Sequence, residues 1–214
     1  IAERLNRYVW FHGGFDADAS SVEADGRIVN RRRTFGNAVL SRWPIAEARG
    51  HLLPKTALPT QFDLQRGFVE AVVETPKGRL RVYSVHLSHI THAQRLPQIE
   101  ALLDTVLDAP RRGGAWDSHA SDSFVFAEVA QPVPASVVIC GEQHPLFGRI
   151  ATADGLSDAW TAAGNAEDRE SFPGEGRIDH AFVSHDLRSK VKRAWIDDTT
   201  PASDHWPLFV EIDV

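Results

Sequence analysis

Two rhythms of apolar and polar positions run through this chain. Residues 67–75 (GFVEAVVET) and 79–87 (RLRVYSVHL) are β-rich runs flanking Pro76, Lys77 and Gly78, and the pattern predicts a hairpin. In the second run Val82, Tyr83, Val85 and Leu87 place apolar groups at both parities, as in a central strand covered on both faces. Residues 8–11 read as a short aromatic strand stopped by Gly13 and Gly14, 16–33 as a polar loop, and 37–42 as a strand ended by Trp43 and Pro44. Residues 136–140, 178–184, 191–197 and 207–214 supply the remaining strands. Helical spacing governs 92–108, through Leu96, Ile99, Leu102, Leu103, Val106 and Leu107. Thr91 is the expected N-cap, with Pro97 moving the expected start toward Leu96. Residues 1–7 read as the tail of a helix, 109–135 as a long irregular stretch and 145–151 as a short helix. Hairpins and helices are mixed rather than strictly alternating, which favours a layered α/β sandwich over a doubly wound parallel sheet.

A length of 214 residues with no repeat or linker fits one domain, 1–214. Hydrophobic residues at 43% and charged residues at 24% exclude a disordered or fibrous chain. No apolar run is long enough for a transmembrane helix. One cysteine excludes an internal disulfide framework, so a reduced cytoplasm is favoured and a disulfide-free exported form is also compatible. The net charge of −6 argues against general nucleic-acid binding. The tight basic run Arg31-Arg32-Arg33 is either a solvated loop or a phosphate-contacting edge. The chain lacks methionine and opens at Ile1, so it reads as a processed chain, a fragment, or a text from which residues are missing.

Polar residues gather where the expected strands stop: His86, Glu142 after Gly141, Asp179, and Asp204 with His205. Strand ends of such a sheet share one rim. An Asp and a His there suit a general base with its orienting carboxylate, and further carboxylates suit a hard cation such as Mg²⁺.

Four strings, FGNAVLSRWPI (35–45), RVYSVHLSH (81–89), GRIDHAFVSHDL (176–187) and SDHWPLFVEI (203–212), resemble the endonuclease/exonuclease/phosphatase superfamily, the DNase I-like metal-dependent phosphoesterases. The resemblance implies a four-layer α/β/β/α sandwich with its site at the strand-end rim. It also implies catalytic roles for His205, Asp179 and His86, metal binding by Asp204, and Mg²⁺ (or Mn²⁺) as cofactor. Arg66 falls where relatives place a phosphate-contacting arginine, Asn37 is a weaker substrate-binding candidate, and Gln98 matches a structural glutamine. Two departures stand out. The family's first strand and its metal-binding Glu would precede Ile1. Where relatives have Gly-Asp-Phe-Asn, this chain reads Gly141-Glu142-Gln143-His144, so Glu142 is the metal-ligand candidate, or several residues are absent after Gly141. Three functions follow as expectations. The first is a metal-dependent phosphoesterase acting on a small or lipid-derived phosphodiester or phosphomonoester. The second is a nuclease of the same superfamily, and the third a non-catalytic binding domain on the same fold.

Overall fold

A computed structural model describes residues 1–114, 116, 131–142 and 155–214. Its centre is a six-stranded sheet in the order β5-β6-β7-β8-β10-β9. The strands are β5 (Ile45–Leu52), β6 (Gly67–Thr75), β7 (Gly78–His86), β8 (Val137–Glu142), β9 (Ser157–Asp158) and β10 (Asp179–Val183). The hairpin expected around Pro76 is β6 and β7, and β7 is central, between β6 and the parallel β8. A parallel neighbour needs a crossover, here α2 (His92–Arg112) with the segment after it. A four-residue helix, α1 (Ala2–Leu5), opens the chain.

Helix α2 lies on one face of the sheet. Its Ile99, Leu102, Leu103 and Val106 are buried with Phe68, Tyr83, Val85, Ile139 and Phe182. The spacing of these positions is that of one helical face, whereas Leu96 and Leu107 turn outward. Thr91 caps the helix by accepting a hydrogen bond from the Gln94 amide, so the helix starts at His92 and Pro97 is accommodated inside it. Gln98 is a structural residue, accepting from the Ser88 amide and donating to the Pro54 carbonyl.

The other face is covered by two separate antiparallel pairs, β1 (Tyr8–Asp18) with β4 (Arg32–Ser41) and β11 (Val191–Ile196) with β12 (Leu208–Ile212). Val39 of β4 packs on Val69 and Ala71, and Leu208, Val210 and Ile212 of β12 pack near Val138 and Ala181. Two short helices, α3 (Ala159–Ala162) and α4 (His185–Arg188), sit beside this second β layer and the central sheet.

The sequence reading needs four corrections here. The strand expected at 8–11 runs on through Gly13 and Gly14 to Asp18, because Gly14 is the extra residue of a bulge between Gly13 and Phe15. The stretch expected as a loop at 16–33 is largely paired, as the outer halves of β1 and β4 carrying a small hairpin, β2 (Val22–Ala24) and β3 (Arg27–Val29). Strand β5 was not anticipated. Residues 109–112 continue α2. The expected helix at 145–151, and most of the stretch after Gly114, lie outside the described residues.

Candidate functional site

The ends of β7 and β8, the start of β10 and the loop before β12 meet at one rim. Gly141 makes this convergence possible: its φ is +134°, and a Cβ there would lie 2.0 Å from the Val85 carbonyl oxygen. A side chain would push β8 off β7, so only glycine fits just before Glu142. At the same rim β4 is braced by Asn37. With its amide nitrogen facing Gly67, Asn37 donates to the Gly67 carbonyl (3.0 Å) and accepts from the His86 amide (3.3 Å). These bonds make Asn37 a strap between β4, β6 and β7.

A pocket of about 460 Å³ opens there. Phe35, Arg66, His86, His89, Glu142 and His205 line it, with Phe172, Glu175, Leu64 and Ile178 completing the wall. The structure therefore brings together four of the expected residues, Arg66, His86, Glu142 and His205, with Asp179 directly behind His205. His205 Nδ1 is 2.8 Å from Asp179 Oδ2. Since the carboxylate accepts, Nδ1 carries the proton and Nε2 is the free nitrogen. Burial disfavours a charged imidazole here. The hydrogen bond and charge of Asp179, with Glu142 and Asp204 adding, outweigh it and raise the His205 pKa above its ordinary value. Asp179 is itself held: Ser171 Oγ accepts from the amides of Ile178 and Asp179 (3.0 and 2.9 Å). The Ser171 carbonyl accepts from the Trp206 amide beside His205.

Arg66 is 6% exposed. Its Nη1 is 2.6 Å from His86 Nε2, its Nη2 is 2.9 Å from His89 Nδ1, and its buried Nε has no partner. Desolvation lowers its pKa, opposed by the charges of Glu142 and Asp63. The same His86 Nε2 is 3.0 Å from Glu142 Oε2. One imidazole nitrogen can accept from a guanidinium or donate to a carboxylate, not both. His86 Nε2 can therefore serve either Arg66 or Glu142, but not both at once.

Asp204 does not join this group. It is exposed and accepts from Ser203 Oγ (3.2 Å). Among the described residues no cluster of three or more His, Cys, Asp or Glu is placed to hold a metal ion. Glu142 Oε2 lies 3.0 Å from His86 Nε2. Mg²⁺ prefers a near-octahedral oxygen set, so the described side chains do not fit a divalent site. His144 lies outside the described residues.

Sequence reasoning missed His89, Phe172 and Ser171. His89 is a partner of Arg66. Phe172 meets His205 edge-on at 4.9 Å, held by the turn closed by Gly176. No spacing in the sequence announces either contact. Arg177 and His180, in the same string as Asp179, are structural. Arg177 pairs with Asp158 (2.7 Å) and Asp168 (2.5 Å) and donates to His180 Nδ1 (3.0 Å). Burial, then the Arg177 charge, lowers the His180 pKa to about 4.

A larger cavity of about 670 Å³ lies on the other side of His205, between β8, β10 and β12. Its floor and wall are mainly apolar, including Val138, Cys140, Ala181, Leu208 and Val210. Burial pushes the Cys140 thiol up to about 11, as expected of an inert core cysteine. Asp179, His180, Ser203 and His205 form the polar edge of this cavity, so the Asp179–His205 pair stands between the two cavities, with Arg66, His86 and Glu142 on the side of the smaller one.

No family model matches the chain, and no curated protein matches it. Solved structures do. An endonuclease/exonuclease/phosphatase protein from Bacteroides vulgatus superposes with a TM-score of 0.61 at 13% identity, over 100% of this chain and 78% of that one. One from Bacteroides thetaiotaomicron gives 0.59 at 16%, over 96% and 73%. Humanized D. rerio TDP2 gives 0.58 at 15%, over 100% and 79%. The chain therefore shares the fold of these structures, the DNase I-like sandwich that the four strings imply.

Proposed function

We propose that the chain is a hydrolase of phosphate esters, acting on a phosphodiester or phosphomonoester whose reacting group fits the 460 Å³ pocket. One observation carries this: the Asp179–His205 pair faces Arg66 and His86 across a single pocket. In a phosphoryl transfer the protein's work is positioning and charge stabilisation. Arg66 would turn its donors from the two imidazoles to the phosphate oxygens. His86 Nε2, released from Arg66, would then donate to Glu142. His205 Nε2 would take the proton of the attacking water as the water oxygen bonds to phosphorus and the ester P–O bond breaks. Asp179 holds the tautomer and balances the imidazolium, the departing ester oxygen takes a proton from solvent, and His205 then returns its own proton to solvent. The acidic chain, at −6, favours a small or lipid-derived ester over long DNA. Because the described side chains do not fit a Mg²⁺ site, no step here is assigned to a metal.

Turnover of 4-nitrophenyl phosphate and bis(4-nitrophenyl) phosphate tests the proposal. His205→Ala is expected to lower kcat on the accepted ester by about 10²-fold or more, with the folded state intact by circular dichroism. Equal rates in the two proteins, or no turnover in the parent, would overturn it. The superfamily neighbours include a mannosyl-6-phosphatase from B. thetaiotaomicron, which suits the monoester arm.

A further inference from the structure

The basic run Arg31-Arg32-Arg33 belongs to no part of the site described so far. Strand β4 explains where it goes. Alternate residues of a strand share a face. Val39 is packed on the central sheet, Asn37 straps the rim, and Phe35 walls the pocket, with its ring 5.5 Å from that of His86. Arg33 is the next residue on that face, one repeat or about 7 Å beyond Phe35. The pairing is regular on β4 here, because the bulge is taken up by β1. Arg33 therefore shares the face of Phe35, one repeat beyond the pocket wall on the exposed outer half of β4.

The charges on this arm are segregated. Arg33 is paired across the strands with Ala17, and Phe35 with Phe15, so that face carries one cation beside small or aromatic neighbours. The carboxylates take the opposite face. Asp16 pairs with Arg32 at 2.9 Å, and Asp18 accepts from the amides of Ser20 and Ser21. Arg33 is exposed and makes no hydrogen bond or ion pair among the described residues. Inside the pocket the balance is different, because Glu142 and Glu175 line it together with Arg66. A second anionic group on the substrate would find its counter-charge on the arm, not in the pocket.

We infer that Arg33 is a specificity-determining residue that receives a second phosphate, one linkage away from the phosphate held at Arg66. This rests on the phosphate-ester reading and narrows it: the preferred substrate carries two phosphates at the spacing of neighbouring phosphates in a nucleotide chain. That chemistry occurs in a small bisphosphate and in a nucleic-acid strand, and the acidic chain does not exclude a short strand gripped at one end.

A matched pair of probes isolates the effect. Thymidine 5′-monophosphate and thymidine 3′,5′-bisphosphate differ by one phosphate, and their binding is measured by calorimetry on the parent, Arg33→Ala and Arg32→Ala. The bisphosphate is expected to bind the parent at least tenfold more tightly. Arg33→Ala removes that preference while leaving the monophosphate affinity within about twofold, and Arg32→Ala retains the preference. Equal affinities in the parent, no binding of either probe, a preference that survives Arg33→Ala, or equal weakening of both probes would each overturn the inference. The 4-nitrophenyl esters of the 5′-phosphate of both compounds are assayed in parallel. If the Arg33-dependent preference holds and neither ester is turned over, the hydrolase reading fails and the anion subsite stands. A single-stranded hexathymidylate separates the two sources. Tighter binding than the bisphosphate, with a steeper loss in salt, assigns a strand, and equal binding assigns a small bisphosphate.

Discussion

At the residue scale, the pair His205 and Asp179 and the cation Arg66 decide what the pocket can do. Asp179→Asn removes the carboxylate that raises the His205 pKa. The acid limb of the kcat/KM profile, where His205 loses its proton, is then expected to move to lower pH while kcat falls. An unchanged limb would show that His205 is not the titrating base. Stability follows the same linkage. A raised folded pKa contributes stability below the ordinary imidazole value and loses it as pH rises through the folded value. The urea stability gap between the parent and Asp179→Asn should therefore narrow from pH 5 to pH 8. Arg66→Lys keeps the charge but cannot reach both His86 and His89 with a planar fork. A fall of about tenfold or more in kcat/KM is expected, with little change in melting temperature. Much of this site was legible beforehand, because Asp179, His205 and His86 sit in strings with a local signature. His89, Phe172 and the failure of Asp204 to converge were not, since each depends on how a loop folds back in space.

At the scale of elements, legibility followed the hydrophobic pattern. Strands β6 and β7 bury most of their residues and their boundaries were read closely. The outer half of β4 is exposed on both faces, and that of β1 alternates only over Phe15–Asp18 with half-buried Phe15 and Ala17, too short and polar a pattern to be told from a loop. Pairing, not burial, holds them extended. Gly36 shows how close that pairing is: a Cβ there would lie 1.8 Å from the His12 carbonyl oxygen. Gly36→Ala should open the β1–β4 pair near Phe35, lower the melting temperature and weaken substrate binding together. Thr91→Ala removes one side-chain cap of α2 and should cost about 1 kcal/mol by urea titration, leaving kcat unchanged.

At the scale of the molecule, the two faces of the central sheet are packed to different degrees. The α2 face is continuous and includes a buried polar knot. Glu70, 2% exposed, accepts from Tyr83 Oη at 2.9 Å, meets His51 at 2.9 Å and faces Arg49 and Arg112. The other face holds the 670 Å³ cavity between β12 and the β8–β10 floor. Added volume should be tolerated there. Ala181→Leu, at the cavity, is expected to keep or raise the melting temperature. Ala71→Leu, packed with Val39 and Val69, should lower stability by about 1–3 kcal/mol. The cavity has a further consequence through the strands that border it. Among the described residues β4 pairs only with β1 and β12 only with β11, so the second layer presents two inner strand edges besides its outer ones. Unpaired edges are templates for intermolecular association. At high protein concentration this chain should therefore form oligomers through added strands, and a lysine in place of Phe209, an exposed residue of β12, should suppress that aggregation without touching the pocket.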